Sequence, residues 1–140
     1  MCGIIGVLNL NQPTPLHEQD LRQMLAMIRH RGPDGFGTYL SPWAGLGSAR
    51  LSIIASPAEA QPVSNEDRSL WIVFNGEVFN YPELRAGLEA RGHLFSTHSD
   101  TEVIVHLYEE YGPDCLQWLN GQFAIAIWDE PQRSLFLARD

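Results

Sequence analysis

The chain of 140 residues contains no lysine: its nine basic residues are all arginine, set against 17 acidic ones. That absence excludes a lysine Schiff base and the phosphate-binding lysine of a Walker-type loop. A formal net charge of −8 disfavours nucleic acid and anionic membrane, since both need clustered positive charge. No apolar run approaches the ~18–20 residues of a membrane span. No charged-then-apolar signal peptide opens the chain. Cysteine is scarce as well. Cys2 and Cys115 make no disulfide framework, so a reducing cytoplasm is the expected compartment. Internal repeats, low-complexity tracts and obvious linkers are all missing, which leaves one domain as the expectation.

What is present suits a folded core. Hydrophobic content of 44% with 19% charged residues is that of a globular chain, not a disordered one. A domain near this size buries about 68–70% of its unfolded surface. The run from Gly3 to Leu8 reads as a buried strand. Thr14-Pro15 reads as a helix start, with Leu21, Met24, Leu25 and Ile28 on one apolar face and Gly32-Pro33 as the stop. Strands are predicted over 35–40 and 45–54, and a surface loop over 56–66. A further strand over 70–74 ends at the turn-prone pair Asn75-Gly76.

Asn80 is placed to cap a helix running to about Arg91. Ser99 and Glu102 have capping-box spacing for the next helix, whose apolar face is Val103, Ile104, Leu107, Tyr108 and Tyr111. Residues 114–119 suit a short helical turn or two. Runs at 123–128 and 135–138 read as a hairpin joined through Pro131-Gln132. Strands early and late with helices between them predict an α+β fold with helices on sheet faces.

The amino terminus carries the chemistry. Cys2 follows the initiator directly, and a small second residue generally permits removal of Met1. Cys2 then offers a thiol and a free α-amine on one residue. An α-amine titrates near ~7.7–8.0 and a free thiol near ~8.5, so the amine can accept the thiol proton near neutral pH. A nucleophile beside its own base is the minimal apparatus for acyl transfer. The bland alternative is a small hydrophobic cysteine of no chemical consequence.

Cys2-Gly3-Ile4-Ile5-Gly6, Arg29-His30-Arg31-Gly32-Pro33-Asp34, Arg50-Leu51-Ser52-Ile53, Phe74 to Tyr81 and Ser99-Asp100-Thr101-Glu102 occur in that order. Together they resemble the glutaminase domain of glutamine-hydrolysing asparagine synthetase. That domain belongs to the class II, N-terminal-nucleophile glutamine amidotransferases, and the resemblance covers essentially the whole chain. It implies the four-layer α-β-β-α sandwich of the N-terminal-nucleophile hydrolases. It also implies hydrolysis of the L-glutamine side-chain amide to glutamate and ammonia through a Cys2 thioester.

By the same resemblance, Cys2 is the nucleophile and the Asn75 side chain and Gly76 N–H are the oxyanion donors. Arg50 grips the substrate α-carboxylate and Asp100 its α-ammonium. Glu77 and the main chain of Leu51, Ile53 and Ile54 line the pocket. The residues alone leave plainer readings open. Asn75-Gly76 could be a hairpin turn, Arg50 a surface arginine, and Asp100 with Glu102 simple helix-dipole charges. The stretch from Arg31 to Gly35 is expected to shape or cover the pocket, or else merely to end a helix.

In the family the domain continues beyond the terminal Leu137 to Asp140 and is followed by a synthetase domain using ATP and Mg. The expectation is therefore an incomplete glutaminase domain over 1–140, lacking its C-terminal strands, with no cofactor or metal of its own. Its partners would be L-glutamine, a C-terminal synthetase domain and, potentially, a second copy in a homodimer. Two alternatives stay open: a class II domain serving another acceptor, and a non-catalytic amino-acid-binding module. Gly35-Phe36-Gly37 and Gly45-Leu46-Gly47 lack the third glycine of a dinucleotide fingerprint. His98, Glu102 and His106 could be drawn as a metal site, but polar helix positions are the simpler reading. Cys115 reads as an inert, partly buried thiol beside Leu116 and Leu119.

Overall fold

A computed structural model describes residues 2–51 and 60–140 of the chain. Two antiparallel sheets stack face to face. The first has strand order β1-β3-β2, from β1 (Gly3–Leu8), β2 (Gly35–Leu40) and β3 (Ala44–Arg50). The second runs β4-β5-β6-β7, from β4 (Val63–Ser64), β5 (Leu70–Val78), β6 (Gly121–Asp129) and β7 (Ser134–Arg139). Helix α1 (Glu18–Met27) covers the first sheet, while α2 (Tyr81–Glu89) and α3 (Asp100–Tyr111) cover the second. The four layers are thus helix, sheet, sheet and helix, as the resemblance implies.

Strand alternation assigns each layer its side chains. From β5, Leu70, Ile72, Phe74 and Val78 join Val103, Ile104 and Leu107 of α3 in the helix-facing core. The alternate residues Trp71 and Val73 join Ile4, Leu46 and Trp128 between the sheets. Tyr39 stacks on Trp71 with ring centroids 4.3 Å apart and donates its hydroxyl to Glu130 at 2.9 Å, tying one sheet to the other. On the outer face of β3, Cβ atoms at Gly45 or Gly47 would stand 3.1 or 3.2 Å from Leu21 and Leu25. The absence of side chains there lets α1 settle onto the sheet, with both leucines fully buried.

Several predicted boundaries move. Helix α1 begins at Glu18, not at Thr14, because Asn9 takes the Thr14 carbonyl and the Pro42 carbonyl with its side-chain amide, both at 2.9 Å. Within the predicted loop over 56–66, residues 63–64 pair as β4, and Val63 is buried. The predicted strand over 45–54 is observed as β3, and its last residues, 52–54, lie outside the described ones. Asn80 does not cap α2. Its amide donates to the Trp118 carbonyl and its oxygen accepts from Asn120 N–H, each at 2.9 Å, fastening the start of α2 to the segment before β6.

Strand β5 does not end at Asn75-Gly76. Asn75 pairs with Ala124 and Gly76 with Phe123, and the strand runs on to Val78. A Cβ on Gly76 would lie 2.1 Å from the Gln122 carbonyl oxygen, so β6 backbone approach, not a turn, demands glycine there. The hairpin reading of this pair is overturned.

Helix α3 carries its predicted cap: Ser99 Oγ accepts from Glu102 N–H at 3.4 Å. Glu102, however, faces inward. It is 1% exposed and accepts from the N–H and hydroxyl groups of Ser96 and Thr97 at 2.6–2.9 Å. Burial alone would raise its pKa, but His106 and these donors outweigh that and hold the carboxyl at about 2, against an ordinary 4.5. Because the folded value is depressed, the stabilisation is present above about pH 4.5 and disappears as pH falls toward 2. It should be worth about 3 kcal/mol, a one-unit shift being about 1.4. Denaturation midpoints measured between pH 6 and 2.5 should fall less steeply for Glu102→Gln than for the parent. Equal slopes would contradict the assignment.

Candidate active site

Cys2 enters β1 beside the end of β3, where Gly3 pairs with Ala49. Its thiol donates toward the Leu51 carbonyl at 3.9 Å, and Leu51 N–H donates back to the sulfur at 3.5 Å. Its own carbonyl accepts from Arg31 Nε at 3.1 Å. Arg31 belongs to the short 3₁₀ turn after α1, and Gly32 seats that turn. A Cβ there would lie 2.3 Å from the Ala49 carbonyl. Asp34 N–H then donates to the Arg50 carbonyl at 3.0 Å. The stretch from Arg31 to Asp34 therefore touches the backbone of both Cys2 and Arg50. The Ile28 side chain covers Gly3, so its missing Cβ serves packing.

Cys2 precedes Ile4 by two residues and shares its face, the one turned toward the second sheet. Asn75 follows Val73 by two and faces the same layer from the opposite side. The sheet edge next to Asn75 is decided by hydrogen-bond parity. Phe123 exchanges bonds with Asp140, at 3.2 Å from Asp140 N and 3.0 Å to its carboxylate, so its polar groups point away from β5. Its partner Gly76 must therefore direct N–H and C=O off the opposite edge of β5, toward the β4 side. On that edge β4 pairs only with Trp71 and Ile72.

Two neighbouring N–H groups on this edge are held by side chains. Phe74 N–H donates to Gln61 Oε1 at 2.7 Å, and Val78 N–H donates to Asp100 Oδ2 at 3.0 Å. The Gly76 N–H points outward between them. Among the described residues, no loop or side-chain bond takes it. Asp100 thereby joins the first turn of α3 to the strand carrying Asn75, Gly76 and Glu77. Burial chiefly, and the nearby Glu77 charge, raise the Asp100 pKa against the pull of the Val78 and Thr101 N–H groups. Gln61 also donates to Thr101 Oγ1 at 3.2 Å, a bridge from the sheet edge to α3 that the sequence reading missed.

A glycine-borne N–H on a sheet edge, without a partner among the described residues and with an amide side chain next to it, has the chemistry to receive a developing oxyanion. Asp100 and the strand of Asn75, Gly76 and Glu77 meet at this edge, and Cys2 and Asn75 face one layer from its two sheets. The comparison with known proteins decides the affiliation. The profile of the glutamine amidotransferase domain matches residues 1–140. The chain belongs to the glutamine amidotransferase domain family.

Curated relatives of this glutamine amidotransferase domain include asparagine synthetase [glutamine-hydrolyzing] 1 of Bacillus subtilis. It is 44% identical over all of this chain, which spans 22% of that protein. The probable enzyme of Dictyostelium discoideum is 42% identical, with 25% of its length spanned, and that of Brassica oleracea 39%, with 24% spanned. The chain thus spans about a quarter or less of these relatives. Among solved structures, the glutamine phosphoribosylpyrophosphate amidotransferase of B. subtilis, complexed with ADP and GMP, superposes with a TM-score of 0.57. It is 27% identical, with 70% of this chain and 23% of that one covered.

Of the predicted site residues, Cys2 and Leu51 are in direct contact, and Asp100 is tied to the strand of Asn75, Gly76 and Glu77. Arg50 closes β3 beside Cys2 and Leu51, paired across to Gly35. Ile53 and Ile54 lie outside the described residues. Arg31 and Gln61 were given no individual role by the sequence, and only their cross-chain contacts single them out. Cys115 is fully buried, and burial pushes its thiol up to about 11, which keeps it inert. No helix among the described residues is long and apolar enough to cross a membrane.

Proposed function

We propose that this domain hydrolyses the side-chain amide of L-glutamine. The ammonia would feed ATP-dependent asparagine synthesis from aspartate by a synthetase domain that follows it in the full-length protein. ATP and Mg would belong to that second domain, and the cytoplasm would be the working compartment. The observation that carries the reading is the outward Gly76 N–H on the edge of β5, next to an Asn75 whose side chain faces the layer of Cys2. The higher identity to asparagine synthetases than to the phosphoribosylpyrophosphate enzyme supports asparagine over other products.

In the proposed reaction the Cys2 α-amine takes the thiol proton and the sulfur adds to the amide carbon. The carbonyl electron pair moves to oxygen, where Asn75 and the Gly76 N–H receive it. Collapse breaks the C–N bond as the ammonium form of the amine returns its proton to the leaving nitrogen, releasing ammonia. Water then adds to the thioester, the amine accepts its proton, and departure of the sulfur yields glutamate. Arg50, with its planar fork, suits the α-carboxylate. Asp100 suits the α-ammonium through the oxygen that Val78 does not use. The pocket would be completed by Glu77 and the main chain of Leu51, Ile53 and Ile54.

Asp100→Asn keeps an acceptor for Val78 N–H and removes the charge. It should raise KM for glutamine at least about tenfold while changing kcat less. A KM like the parent's would remove Asp100 from the clamp. The function itself is tested by incubating the purified full-length protein with glutamine and measuring glutamate release. Saturable binding without glutamate would favour the non-catalytic reading.

A further inference from the structure

Four side chains remote in sequence converge on the outer side of α3. His106 lies in mid-helix, with Glu109 one turn on. His93 lies in the α2–α3 connection, and Glu66 in the turn between β4 and β5. Each offers one donor atom, and the four atoms lie within 4.8 Å of one another. The histidines are withdrawn from solvent, His106 at 0% and His93 at 9% side-chain exposure, while the glutamates are about one-third exposed.

Both imidazoles turn Nδ1 to the same two carboxylates. His106 Nδ1 lies 3.3 Å from Glu66 and 3.5 Å from Glu109, and His93 Nδ1 lies 3.6 Å from each. None of these approaches has hydrogen-bond geometry, and among the described residues both Nδ1 atoms are buried without a partner. Buried polar atoms are seldom left so. Zinc bonds of about 2.0–2.1 Å give tetrahedral ligand–ligand edges of roughly 3.3–3.4 Å. The separations of His106 Nδ1 from Glu66 Oε2 and Glu109 Oε2, 3.3 and 3.5 Å, fall close to that length, and His93 Nδ1 meets Glu109 Oε2 and the other Glu66 oxygen at 3.6 Å.

The outer nitrogens complete the pattern. His93 Nε2 lies 2.9 Å from Glu110, a bond that leaves Nδ1 bare when Nε2 carries the proton. His106 Nε2 faces the buried Glu102 carboxylate at 3.8 Å. A carboxylate thus hydrogen-bonds behind His93, as carboxylates do behind metal-bound histidines, while among the described residues His106 Nε2 has no hydrogen-bond partner and only faces one. The Phe95 ring, 4.5 Å from that of His106, closes the apolar side.

The geometry points to a zinc site formed by Glu66, His93, His106 and Glu109. It would be structural, because four protein ligands leave no open position. Two carboxylates would neutralise the ion, and imidazole with carboxylate suits zinc better than magnesium or calcium. The ion would staple the β4–β5 turn and the α2–α3 connection to α3. Glu102 and His106 are polar helix positions, as expected, and both are buried, while His98 lies before α3, exposed and apart from the cluster.

The proposal is independent of the glutaminase reading and is tested apart from activity. The full-length protein would carry Cys2→Ala, so that no amino-terminal thiol competes for metal. Metal-free protein would be titrated with Zn²⁺ by calorimetry and with Co²⁺ by visible absorption, alongside His93→Gln and Glu109→Gln versions checked for folding by circular dichroism. We expect one ion per chain that both substitutions weaken at least about tenfold, an intense tetrahedral Co²⁺ spectrum, and a thermal midpoint raised by Zn²⁺ only when the four ligands are intact. Absence of binding, or binding indifferent to both substitutions, would overturn the site and leave protons shared between the histidines and glutamates as the explanation.

Discussion

Cys2→Ala is expected to lower glutamine hydrolysis by about 10⁴-fold or more, because the sulfur is the only atom proposed to form the covalent intermediate. In the full-length protein, synthesis driven by added ammonia should persist, since that route bypasses the thioester. The structural cost should be small. The sulfur is only partly buried, and its contacts are two long interactions with the Leu51 backbone. Steady-state glutamate release and ammonia-dependent product formation, measured on one preparation, separate the two activities. Loss of both together would indicate damage to the fold, and retention of glutaminase activity would refute the role of Cys2.

Asn75→Ala carries the second-largest expected effect, a fall of about 10²–10³ in kcat, or roughly 2.7–4 kcal/mol of barrier. KM should change much less, because the Asn75 amide is asked to hold charge that develops only in the transition state. Asn75 is half-buried on β5 and pairs through its backbone with Ala124, so truncation leaves the strand in register. The neighbouring glycine cannot be tested as cleanly. Any Cβ at Gly76 strikes the Gln122 carbonyl, and loss of activity there would mix misfolding with loss of a donor. A kcat for Asn75→Ala within twofold of the parent would mean that the oxyanion is held elsewhere.

The expected site follows from local signals to an uneven degree. Cys2 announces itself by position, and Ser99 with Glu102 by spacing; the observed Ser99 cap matches that spacing. Strand β1, the helix-facing residues of α3 and the β6–β7 hairpin follow from apolar runs and periodicity. The strand role of Asn75-Gly76 was not legible. The pair has turn chemistry, and only the β6 backbone approaching 2.1 Å from a would-be Cβ makes it a strand interior. Asn80 misled in the same way. Its amide found cross-chain carbonyl and N–H partners near residues 118–120 instead of the helix end it resembles locally.

Long-range contacts explain the remaining misses. Nothing near Gln61 in sequence foretells that it occupies Phe74 N–H and Thr101 Oγ1, 13 and 40 residues away. Glu66, His93, His106 and Glu109 have no metal-site spacing, because tertiary packing, not a motif, assembles them. The inward turn of Glu102 was also hidden. A glutamate at the third position of a helix ordinarily reaches back to its cap, whereas here Ser96 and Thr97 offer it four donors.

Sulfur and free amine must meet on one terminal residue for this chemistry, and mass spectrometry reads that directly. An actively hydrolysing preparation would be treated with a glutamine analogue bearing an electrophile at the side-chain carbonyl position, then analysed intact and after digestion. The predicted result is a chain lacking Met1, with an unmodified α-amine and a single adduct on Cys2 whose formation parallels loss of activity. Full glutaminase activity in protein that retains Met1, or whose Cys2 amine is acetylated, would contradict it.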